Sequence, residues 1–559
     1  MKQLITQHEI LTLDDYGRIV SFSSGYAPDQ EFIQPGDYPV LSFQYRKKDR
    51  LIDVESIHDI PEIKDFGQEI EYTYTNIEDT GVTAVCRIIA GPDNFSFTIS
   101  LTETNGLCIT GVSYPFIIVR YQLEGTPNSE ALLYPINAGL LKRAPQPQDL
   151  EPDSFHAFRF APENGDTFHY PGQVFAQFLA YYNDRAGILA MCNDTKGQLK
   201  LIKPVHRNGL RLGFFHAGDW REPRALGYNL LLCSFQGDWY DGASIYRSWS
   251  SRQDWSVPLQ KRPEIPDWLL DSPPHVVLRI QGRIDEGPVE PNECFQPYEK
   301  AVPLLEQVAK ALDSPVAPII MAWENKGPWV YPDCFPPAGG DSSLRSFTAM
   351  ARERGWHVGS YCNGTRWVTA QYWSGYDGRN YLLENQGQDT LCRTVENNYW
   401  QERWDTSWRQ SYAACLEVEH TRKTAEDFCM HLAEDGLDYI QFLDQNVGCT
   451  AFPCYAEDHG HPPMPGQWMT QAMERLGDTF RDVCKKSGRP MAFALEQPCC
   501  EYFLRDIHIC DVRIGPPGHP YYNGGFIPLA QFLHHEFILF QGAFGSGQEP
   551  YHLPIRTAG

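Results

Sequence analysis

Long apolar runs and an excess of positive charge are both missing from this sequence. No segment reaches the roughly 18 to 20 apolar residues that a membrane-spanning helix needs. The 559 residues include 47 Lys and Arg against 71 Asp and Glu, which gives a formal net charge of −24. Nucleic acid and anionic membranes bind basic surfaces, because the protein must replace their counterions. We therefore expect neither partner and favour a neutral or polar substrate.

Targeting and cofactor signatures are missing as well. The first residues, MKQLITQHEILTLDD, contain no apolar core of signal-peptide length. The 16 cysteines are scattered along the chain, and the adjacent Cys499 and Cys500 are poorly placed for a simple disulfide. We therefore expect reduced thiols in a cytoplasmic protein. Neither a phosphate-binding loop nor a dinucleotide fingerprint is present, so no cofactor is expected.

Short β-type runs fill the first part of the chain, up to about residue 235. Clusters of Gly, Pro, Asn and Asp separate them at hairpin-like intervals, and no long helical periodicity interrupts them. This pattern predicts an antiparallel β-sandwich. The runs are GRIVSFSS, YPVLSFQYR, GVTAVCRIIA, FSFTISLTE, YPFIIVRYQL, AGILAMCND, LRLGFFHAG and YNLLLCSF.

A helix is predicted next, near residues 238–253. Apolar residues recur there at spacings of three and four, which predicts one apolar helix face that packs between domains. These residues are Trp239, Ala243, Tyr246 and Trp249. A stretch with several prolines follows and is a plausible linker.

After Pro274, apolar β-type runs alternate with longer helical stretches, the pattern of βαβ units around a parallel sheet. Seven strands can be identified, and the length is close to the roughly 250 residues of a (β/α)8 TIM barrel. The strand candidates are HVVLRIQG, APIIMAWEN, WHVGSYCNG, DYIQFLDQN, PMAFALEQ, IHICDVRIG and EFILFQGAF. The helix candidates are YEKAVPLLEQVAKAL, SLRSFTAMARERG, RKTAEDFCMHLAEDG and WMTQAMERLGDTFRDVCKKSG. The predicted boundaries are residues 1–258 for the sandwich domain, 259–274 for the linker and 275–559 for the barrel.

Polar and aromatic residues follow most of these strands, at the end that faces the active-site mouth of a barrel. Six strands that end in this way indicate a ligand site at this face. The residues are Arg283 and Asp285, Trp323 and Glu324, Tyr361 and Asn363, Asp444 and Gln445, Glu496 and Gln497, and Asp511 and Arg513.

Asp444 and Glu496 are the carboxylates best placed for catalysis. Glycoside hydrolysis needs two, one to protonate the leaving oxygen and one to attack or stabilise the anomeric carbon. One βα unit with an enlarged loop separates them, so their strands should be neighbours or next neighbours. Aromatic side chains suit the apolar face of a sugar and favour an oligosaccharide or glycoside substrate. Those in the same loops are Trp323, Trp329, Tyr361 and Trp367.

Here the sequence resembles a group of enzymes. The order of β-sandwich, aromatic linker helix and barrel is similar to that of retaining endo-α-N-acetylgalactosaminidases and their α-galactosidase relatives. The motifs FLDQ, DHGHPP, ALEQPCCEYF and FLHHEF resemble landmarks of an uncharacterised glycosidase-like barrel family related to them, over about residues 320 to 540. The resemblance implies Asp444 as nucleophile and Glu496 as general acid/base. The chain departs from the group in having no obvious β-sandwich after the barrel.

A metal site is an alternative interpretation of the loop after Asp444. The loop contains Cys449, Cys454, His459 and His461. Their spacings match neither a CxxC knuckle nor an HExxH helix, so no metal site is predicted. The two histidines are expected to hydrogen-bond sugar hydroxyls instead.

Twelve residues are predicted to contact the substrate. Two of them, in FLHHEFILF, are ambiguous, because a histidine before an apolar strand can equally belong to the core. The twelve are Trp323, Glu324, Trp329, Tyr361, Asn363, Trp367, Gln445, His459, His461, Arg513, His535 and Glu536.

Simpler roles for the carboxylates remain open. Asp444 could cap the next helix or belong to a buried ion pair. Glu496 could be a structural carboxylate paired with an arginine such as Arg513. Glu324 could replace either residue in catalysis.

Three functions agree with the sequence. The first is a retaining glycoside hydrolase working by double displacement. The second is an inverting glycosidase or transglycosidase on the same fold, and the third is a non-catalytic carbohydrate-binding protein. A separation of about 5 to 5.5 Å between the two carboxyl groups supports retention, and roughly 6.5 to 9.5 Å supports inversion. The sequence leaves open the sugar, its anomer and whether the protein forms a homo-oligomer.

Overall fold

The computed structural model describes residues 1–136, 138–145, 168–202, 205–206, 208–281, 295, 297–401, 408–444, 446–512 and 525–542. The protein is multidomain and β-rich. An N-terminal antiparallel, sandwich-like region is followed by a region built on a parallel sheet. Within the described ranges, no helix combines the length and apolar content that a membrane crossing requires.

Alternating burial along the strands produces the first region. In the strand Phe95–Glu103, buried residues alternate with partly exposed ones, so one face of the sheet is apolar. The strands are β1 (Lys2–Ile5), β2 (Glu9–Leu13), β3 (Ile19–Ser24), β4 (Leu41–Lys47), β5 (Arg50–Ser56), β6 (Glu62–Asp65), β7 (Glu69–Tyr74), β8 (Thr83–Ala90), β9 (Phe95–Glu103), β10 (Cys108–Ser113), β11 (Ile118–Val119), β12 (Ala131–Tyr134), β13 (Leu140–Arg143), β14 (Phe168–Tyr170), β15 (Phe178–Tyr182), β16 (Gly187–Cys192), β17 (Lys200–Ile202), β18 (Val205–His206), β19 (Gly209–Arg211), β20 (Phe215–Ala217), β21 (Arg224–Ala225) and β22 (Leu230–Phe235).

Two large antiparallel sheets carry most of these strands. One has the order β14-β17-β20-β10-β4-β5, and the other contains β13-β12-β15-β16-β22-β9-β8-β7-β6. Apolar side chains of both sheets belong to one core, in which the rings of Phe97 and Tyr114 lie 6.1 Å apart, edge to face. The predicted antiparallel sandwich is confirmed in this form. Of the run YPFIIVRYQL, only β11 is a strand.

The predicted linker helix is present as α1 (Trp239–Ser250). Its N-cap is Asp238, whose side chain accepts a hydrogen bond from the backbone N–H of Tyr240. The side chain of Asp241 accepts a hydrogen bond from the backbone N–H of Asp238, which completes a capping box. The ring of Tyr246 stacks on Phe178 of β15 at 4.5 Å. The apolar stripe of this helix packs against the sandwich through Tyr246 and against Phe532 of the C-terminal region through Trp239.

The C-terminal region alternates strands and helices. Its strands are β23 (His275–Arg279), β24 (Ala317–Met321), β25 (Gly359–Tyr361), β26 (Arg366–Gln371), β27 (Tyr376–Asp377), β28 (Arg409–Ala413), β29 (Tyr439–Leu443), β30 (Ala492–Glu496), β31 (Ile509–Val512), β32 (Gly525–Phe526) and β33 (Leu539–Gly542). Its helices are α2 (Asp267–Leu270), α3 (Val302–Leu312), α4 (Asp341–Glu353), α5 (Arg379–Glu384), α6 (Glu419–Glu434), α7 (Gln467–Ser487) and α8 (Leu529–His534).

Seven of these strands form a parallel sheet in the order β23-β24-β25-β29-β30-β31-β33, and they are the seven that the sequence predicted. The sheet curls strongly. The side-chain amide of Gln541 on β33 donates to the side-chain oxygen of Gln441 on β29 at 2.8 Å, although β30 and β31 lie between them. Tyr439 fills the concave side, where a Cβ at Gly359 would lie 2.2 Å from its ring. The sheet is a half-barrel with a filled interior.

Two additions to this sheet were not predicted. After β25 the chain leaves the parallel sheet and forms a small antiparallel sheet, β27-β26-β28, which we call the excursion sheet. In addition, β32 pairs with β13, with Leu140 opposite Phe526, and so extends a sheet of the sandwich. Both are short antiparallel pairings within long connections, where strand patterns are weakest.

A buried carboxyl group connects the two regions. Glu501, in a 3-10 turn after β30, accepts hydrogen bonds from Tyr170 at 3.3 Å and Gln177 at 3.0 Å. It also accepts from Ser250 at 2.7 Å and from the hydroxyl of Tyr246, both on α1. Burial raises the pKa of Glu501 to about 7, and these hydrogen bonds offset part of the rise.

This pKa predicts pH-dependent stability. The ordinary pKa of a glutamate is 4.5, so between 4.5 and about 7 the folded protein holds a proton that the unfolded chain releases. The stabilisation that this bound proton gives to the folded protein is therefore complete below pH 4.5 and is lost as pH rises through about 7. We expect the unfolding free energy of the parent, minus that of Glu501→Gln, to fall by about 2 to 3 kcal/mol from pH 5 to pH 8.

Urea denaturation at a series of pH values measures this difference. Glu536→Gln, at an exposed carboxylate, controls for the removal of one charge and should show a much smaller change. A difference that stays constant from pH 5 to pH 8 for Glu501→Gln would contradict the assignment.

Candidate active site

An irregularity in β29 aims Asp444 at the concave side of the half-barrel. The register between β29 and β30 shifts between Ile440 and Leu443. As a result, both Phe442 and Leu443 belong to the apolar core on the outer side of the sheet. Strict alternation would place only one of them on that side. The next residue then faces the interior, and Gln441 donates to an oxygen of Asp444 at 3.2 Å. Such bulges re-aim side chains next to active sites.

Three carboxyl groups form a row at the carboxyl ends of neighbouring strands, which we call the carboxylate row. Leu443 pairs with Leu495, so Asp444 and Glu496 come next on adjacent strands. Glu496 pairs with Asp511 on the next strand. The three residues are 5%, 4% and 2% exposed. Because neighbouring strands lie about 4.8 Å apart, the row brings these carboxyl groups close together.

Asp444 does not cap a helix. The helix that follows, α7, begins at Gln467, and its N-cap is Gly466. The helix-cap interpretation of the FLDQN segment is therefore excluded, and Asp444 belongs to the row. Asp511 is a strand-end residue in the sequence, and the pairing of β30 with β31 is what brings it beside Glu496.

Strained backbone surrounds the row. Ala322 directly follows β24 and has φ 54°, and Gln497 directly follows β30 and has φ 68°. Cys449, in the loop after β29, also has φ 68°. Non-glycine residues in this left-handed conformation are uncommon and cluster at ligand and active sites. The strain marks the same end of the sheet as the carboxylates.

Aromatic rings form a wall near the row. Trp329, Tyr361 and Trp408 belong to one buried cluster with the interior residues of the half-barrel, and the rings of Trp329 and Tyr361 are 6.5 Å apart. Beside them, Arg409 donates to the side-chain oxygen of Asn363 at 3.2 Å, and its guanidinium lies 4.7 Å from the ring of Trp408. Sequence analysis missed Trp408 and Arg409, because they follow no strand of the parallel sheet.

Residues 225–545 match the family described as Domain of unknown function DUF6259, which is more than half of the chain. The chain belongs to this family. The barrel family that the sequence resembles is likewise uncharacterised, and the matched residues cover all seven parallel strands.

Two other comparisons give named proteins. A Bacteroides thetaiotaomicron protein named "Putative glycoside hydrolase" is 21% identical over 388 residues, which is 67% of this chain and 52% of that protein. The chain thus spans about half the length of that curated relative. Alpha-N-acetylgalactosaminidase NagBb from Bifidobacterium bifidum, in complex with GalNAc, superposes with a TM-score of 0.67 and 14% identity. The superposition covers 96% of this chain and 84% of that one, so the two share a fold.

A third similarity is weaker. An alpha-galactosidase from Thermus thermophilus, in complex with p-nitrophenyl alpha-D-galactopyranoside, has a TM-score of 0.43 and 13% identity over 77% of this chain and 72% of that chain. The suspected relationship is confirmed by the family match, by the curated relative and by the fold shared with NagBb.

Two tryptophans that were predicted to contact the substrate do not reach the carboxylate row. The ring of Trp323 packs against Phe335 and Phe428 on the outer side of the sheet, and its N–H donates to the backbone of Tyr361. Trp367 lies on the excursion sheet and donates to Thr390 at 3.0 Å. The two rings belong to apolar clusters other than the one that contains Trp329 and Tyr361.

Two predicted residues lie at the opposite end of the sheet. His535 and Glu536 precede β33, at its amino end, and both are exposed. Glu536 forms an ion pair with Arg247 of α1 at 3.1 Å. The structure therefore does not bring them to the carboxylate row.

The remaining predicted residues have other positions. Glu324 is buried near Cys334 and Cys362, where burial raises the pKa of both thiols and the charge of Glu324 adds to the effect. His459 and His461 lie in a buried cluster with two cysteines. Four strand-end candidates lie outside the described residues: Arg283, Asp285, Gln445 and Arg513.

The sandwich supports the loop that follows Asp444. A ring nitrogen of His169 hydrogen-bonds to the hydroxyl of Thr450 at 2.8 Å. Nearby, Gly448 has φ 66° and approaches Gly172 so closely that a Cβ would lie 2.0 Å from its carbonyl oxygen. This contact leaves no room for a side chain, so the loop after β29 is held against the sandwich.

The contact predicts a large cost for Gly448→Ala. The added methyl must displace backbone, in addition to the left-handed strain of about 1 to 2 kcal/mol. Gly460→Ala is a matched control, because Gly460 lies in the same connection with φ 83° and has nothing within 4 Å of its Cβ position. We expect Gly448→Ala to lower the unfolding free energy clearly more than the control does, measured by urea denaturation. Equal losses would show that the sandwich contact does not constrain this loop.

Proposed function

We propose that this protein is a glycoside hydrolase that acts by a retaining double displacement, with Asp444 as nucleophile and Glu496 as general acid/base. The observation that carries the proposal is the adjacency of these two buried carboxyl groups at the carboxyl ends of neighbouring parallel strands. The spacing of such strands, about 4.8 Å, is compatible with the roughly 5 to 5.5 Å between carboxyl groups in retaining enzymes.

Two comparisons support the same reaction class. The fold is shared with NagBb, an alpha-N-acetylgalactosaminidase, and the curated relative is named as a glycoside hydrolase. We propose that the seven-stranded half-barrel is completed to a (β/α)8 barrel, with the sandwich domain at residues 1–258, the linker at 259–274 and the barrel at 275–559. The strand β32 would then be a barrel segment that pairs with the sandwich.

In the first step, an oxygen of Asp444 attacks the anomeric carbon while the bond to the leaving oxygen breaks. Gln441 holds the attacking carboxylate by its 3.2 Å hydrogen bond, and Gln541 in turn orients Gln441. Glu496 gives its proton to the leaving oxygen. The retaining mechanism requires Glu496 to hold this proton in the free enzyme.

In the second step, water attacks the anomeric carbon of the glycosyl-enzyme. Glu496, now ionised, takes a proton from this water, and the bond to Asp444 breaks. The sugar leaves with its original anomeric configuration, and both carboxyl groups return to their starting states. Asp511 remains beside Glu496 through both steps.

The aromatic wall is the proposed sugar-binding surface. Trp329, Tyr361 and Trp408 would contact the apolar face of the sugar, and Asn363 with Arg409 would bind its hydroxyl groups. Gln445 and Arg513 stay in the proposal as substrate contacts by their strand-end sequence positions. Because NagBb is bound to GalNAc, aryl α-N-acetylgalactosaminide and aryl α-galactoside are the first substrates to test.

The two catalytic roles predict different mutant behaviour. Asp444→Asn should lower turnover by several orders of magnitude, because an amide is a far poorer nucleophile than a carboxylate. Glu496→Gln should keep its first step on aryl glycosides with good leaving groups, and azide should accelerate its slowed second step. The azide product should have the same anomeric configuration as the substrate, which NMR of the product determines.

Asp511→Asn is the matched control within the row. If azide rescues Asp511→Asn and not Glu496→Gln, the acid/base role belongs to Asp511 and our assignment is wrong. A product of inverted configuration from the parent enzyme would exclude the retaining mechanism. Near-native turnover of Asp444→Asn on a substrate that the parent cleaves would exclude the nucleophile.

A further inference from the structure

Four metal-ligand side chains gather away from the carboxylate row. The sulfur atoms of Cys415 and Cys454 and one ring nitrogen each of His459 and His461 all lie within 4.8 Å of one another. All four side chains are buried. Around a tetrahedral Zn²⁺, with bonds of about 2.0 to 2.3 Å, ligand atoms are roughly 3.3 to 3.8 Å apart. A small contraction of the cluster would reach this geometry.

The cluster joins two segments of the C-terminal region. Cys415 follows β28 of the excursion sheet by two residues, and the other three residues belong to the connection between β29 and α7. Sequence analysis considered Cys449 in place of Cys415, because only neighbours in sequence could be considered together. Folding of the excursion sheet supplies the fourth ligand.

The backbone around Cys454 suits a thiolate. The N–H of Arg393 donates to its sulfur at 3.3 Å, and the N–H of Ala456 does so at 3.5 Å. Hydrogen bonds from backbone N–H groups stabilise negative charge on a ligand sulfur. The sulfur also lies 3.5 Å from Nδ1 of His459.

The ring of His461 is held with one nitrogen facing a ligand position. Its Nδ1–H donates to the carbonyl of Pro462 at 2.7 Å, which leaves the lone pair on Nε2. The ring stacks on Trp468 at 3.8 Å, with an angle of 3° between the planes. Within the part of the chain that the structure describes, Nε2 is buried and has no hydrogen-bond partner. A buried nitrogen of this kind costs stability unless something binds it.

A third thiol adjoins the cluster and has a different role. Cys392 is buried beside Cys415 and Cys454. Its sulfur lies 4.0 Å from the carbonyl oxygen of Phe452 and is not one of the four ligand atoms that lie within 4.8 Å of one another. The other two thiols and the two histidines then make a set of four ligands.

We propose that Cys415, Cys454, His459 and His461 bind one Zn²⁺ ion. Two thiolates and two imidazoles are the ligand types that zinc prefers, and four protein ligands complete a tetrahedral shell. With no position left for water or substrate, the site is structural. It fixes the connection that follows Asp444 to the excursion sheet, whose strand β28 begins with Arg409, beside the aromatic wall. The site does not depend on the proposed enzyme activity.

Metal analysis of the full-length protein, purified without a histidine tag, tests this site. We expect about one zinc per chain, as in structural sites. Cys454→Ser and His461→Ala should weaken Zn²⁺ binding by more than the roughly 10- to 100-fold that loss of an outer-shell partner costs. Cys449→Ser is the matched control, since Cys449 is buried in the same loop outside the cluster, and it should retain zinc.

Cobalt substitution of the parent protein keeps the test independent of how well the variants fold. After removal of zinc with a chelator, Co²⁺ should give the absorption bands of tetrahedral coordination and of thiolate-to-metal charge transfer. The charge-transfer band should weaken by about half in Cys415→Ser, which removes one of two thiolates. Folded parent protein that contains no zinc and takes up neither ion would overturn the proposal. Zinc that persists in both Cys454→Ser and His461→Ala would overturn it as well.

Discussion

The hydrogen bonds to the buried carboxyl group of Glu501 connect the sandwich and α1 to the C-terminal region, and the rest of the structure depends on this connection. Glu501 accepts hydrogen bonds from Tyr170 of the sandwich and from Tyr246 of α1. The residue itself belongs to the connection that leaves β30 just after Glu496. Buried networks of this kind tolerate little displacement, because every unsatisfied group costs free energy. The sandwich and α1 therefore constrain the segment that follows Glu496 at the candidate active site.

The sequence was most informative where burial imposes a regular period. All seven parallel strands and the long helices α3, α4, α6 and α7 were predicted, because continuous apolar runs and a period of 3.6 are direct consequences of packing against both sides of a sheet. The excursion sheet was missed. Its strands pair within one long connection, and pairing between short segments far apart in sequence leaves no periodic signal.

The candidate site was predicted only in part, for a related reason. Strand ends can be read from the sequence, so Asp444 and Glu496 were found as neighbours. The side of the sheet that Asp444 faces depends on the bulge in β29, and no residue pattern in YIQFLD predicts that bulge. For the same reason Trp323, which directly follows the irregular Ala322, was expected at the site although it packs outside. Cys415 was missed because the chain approaches Cys454 only after folding.

The pairing of β32 with β13 has a consequence for synthesis on the ribosome. The strand β13 is synthesised well before β32, which pairs with it and completes one edge of the larger sheet. At about 5 to 20 residues per second, the nascent protein exposes this edge for tens of seconds. Exposed edges invite pairing with other chains, and charged side chains discourage it. Lys142 and Arg143, the charged residues of β13, are of the kind that discourages such pairing until β32 is synthesised.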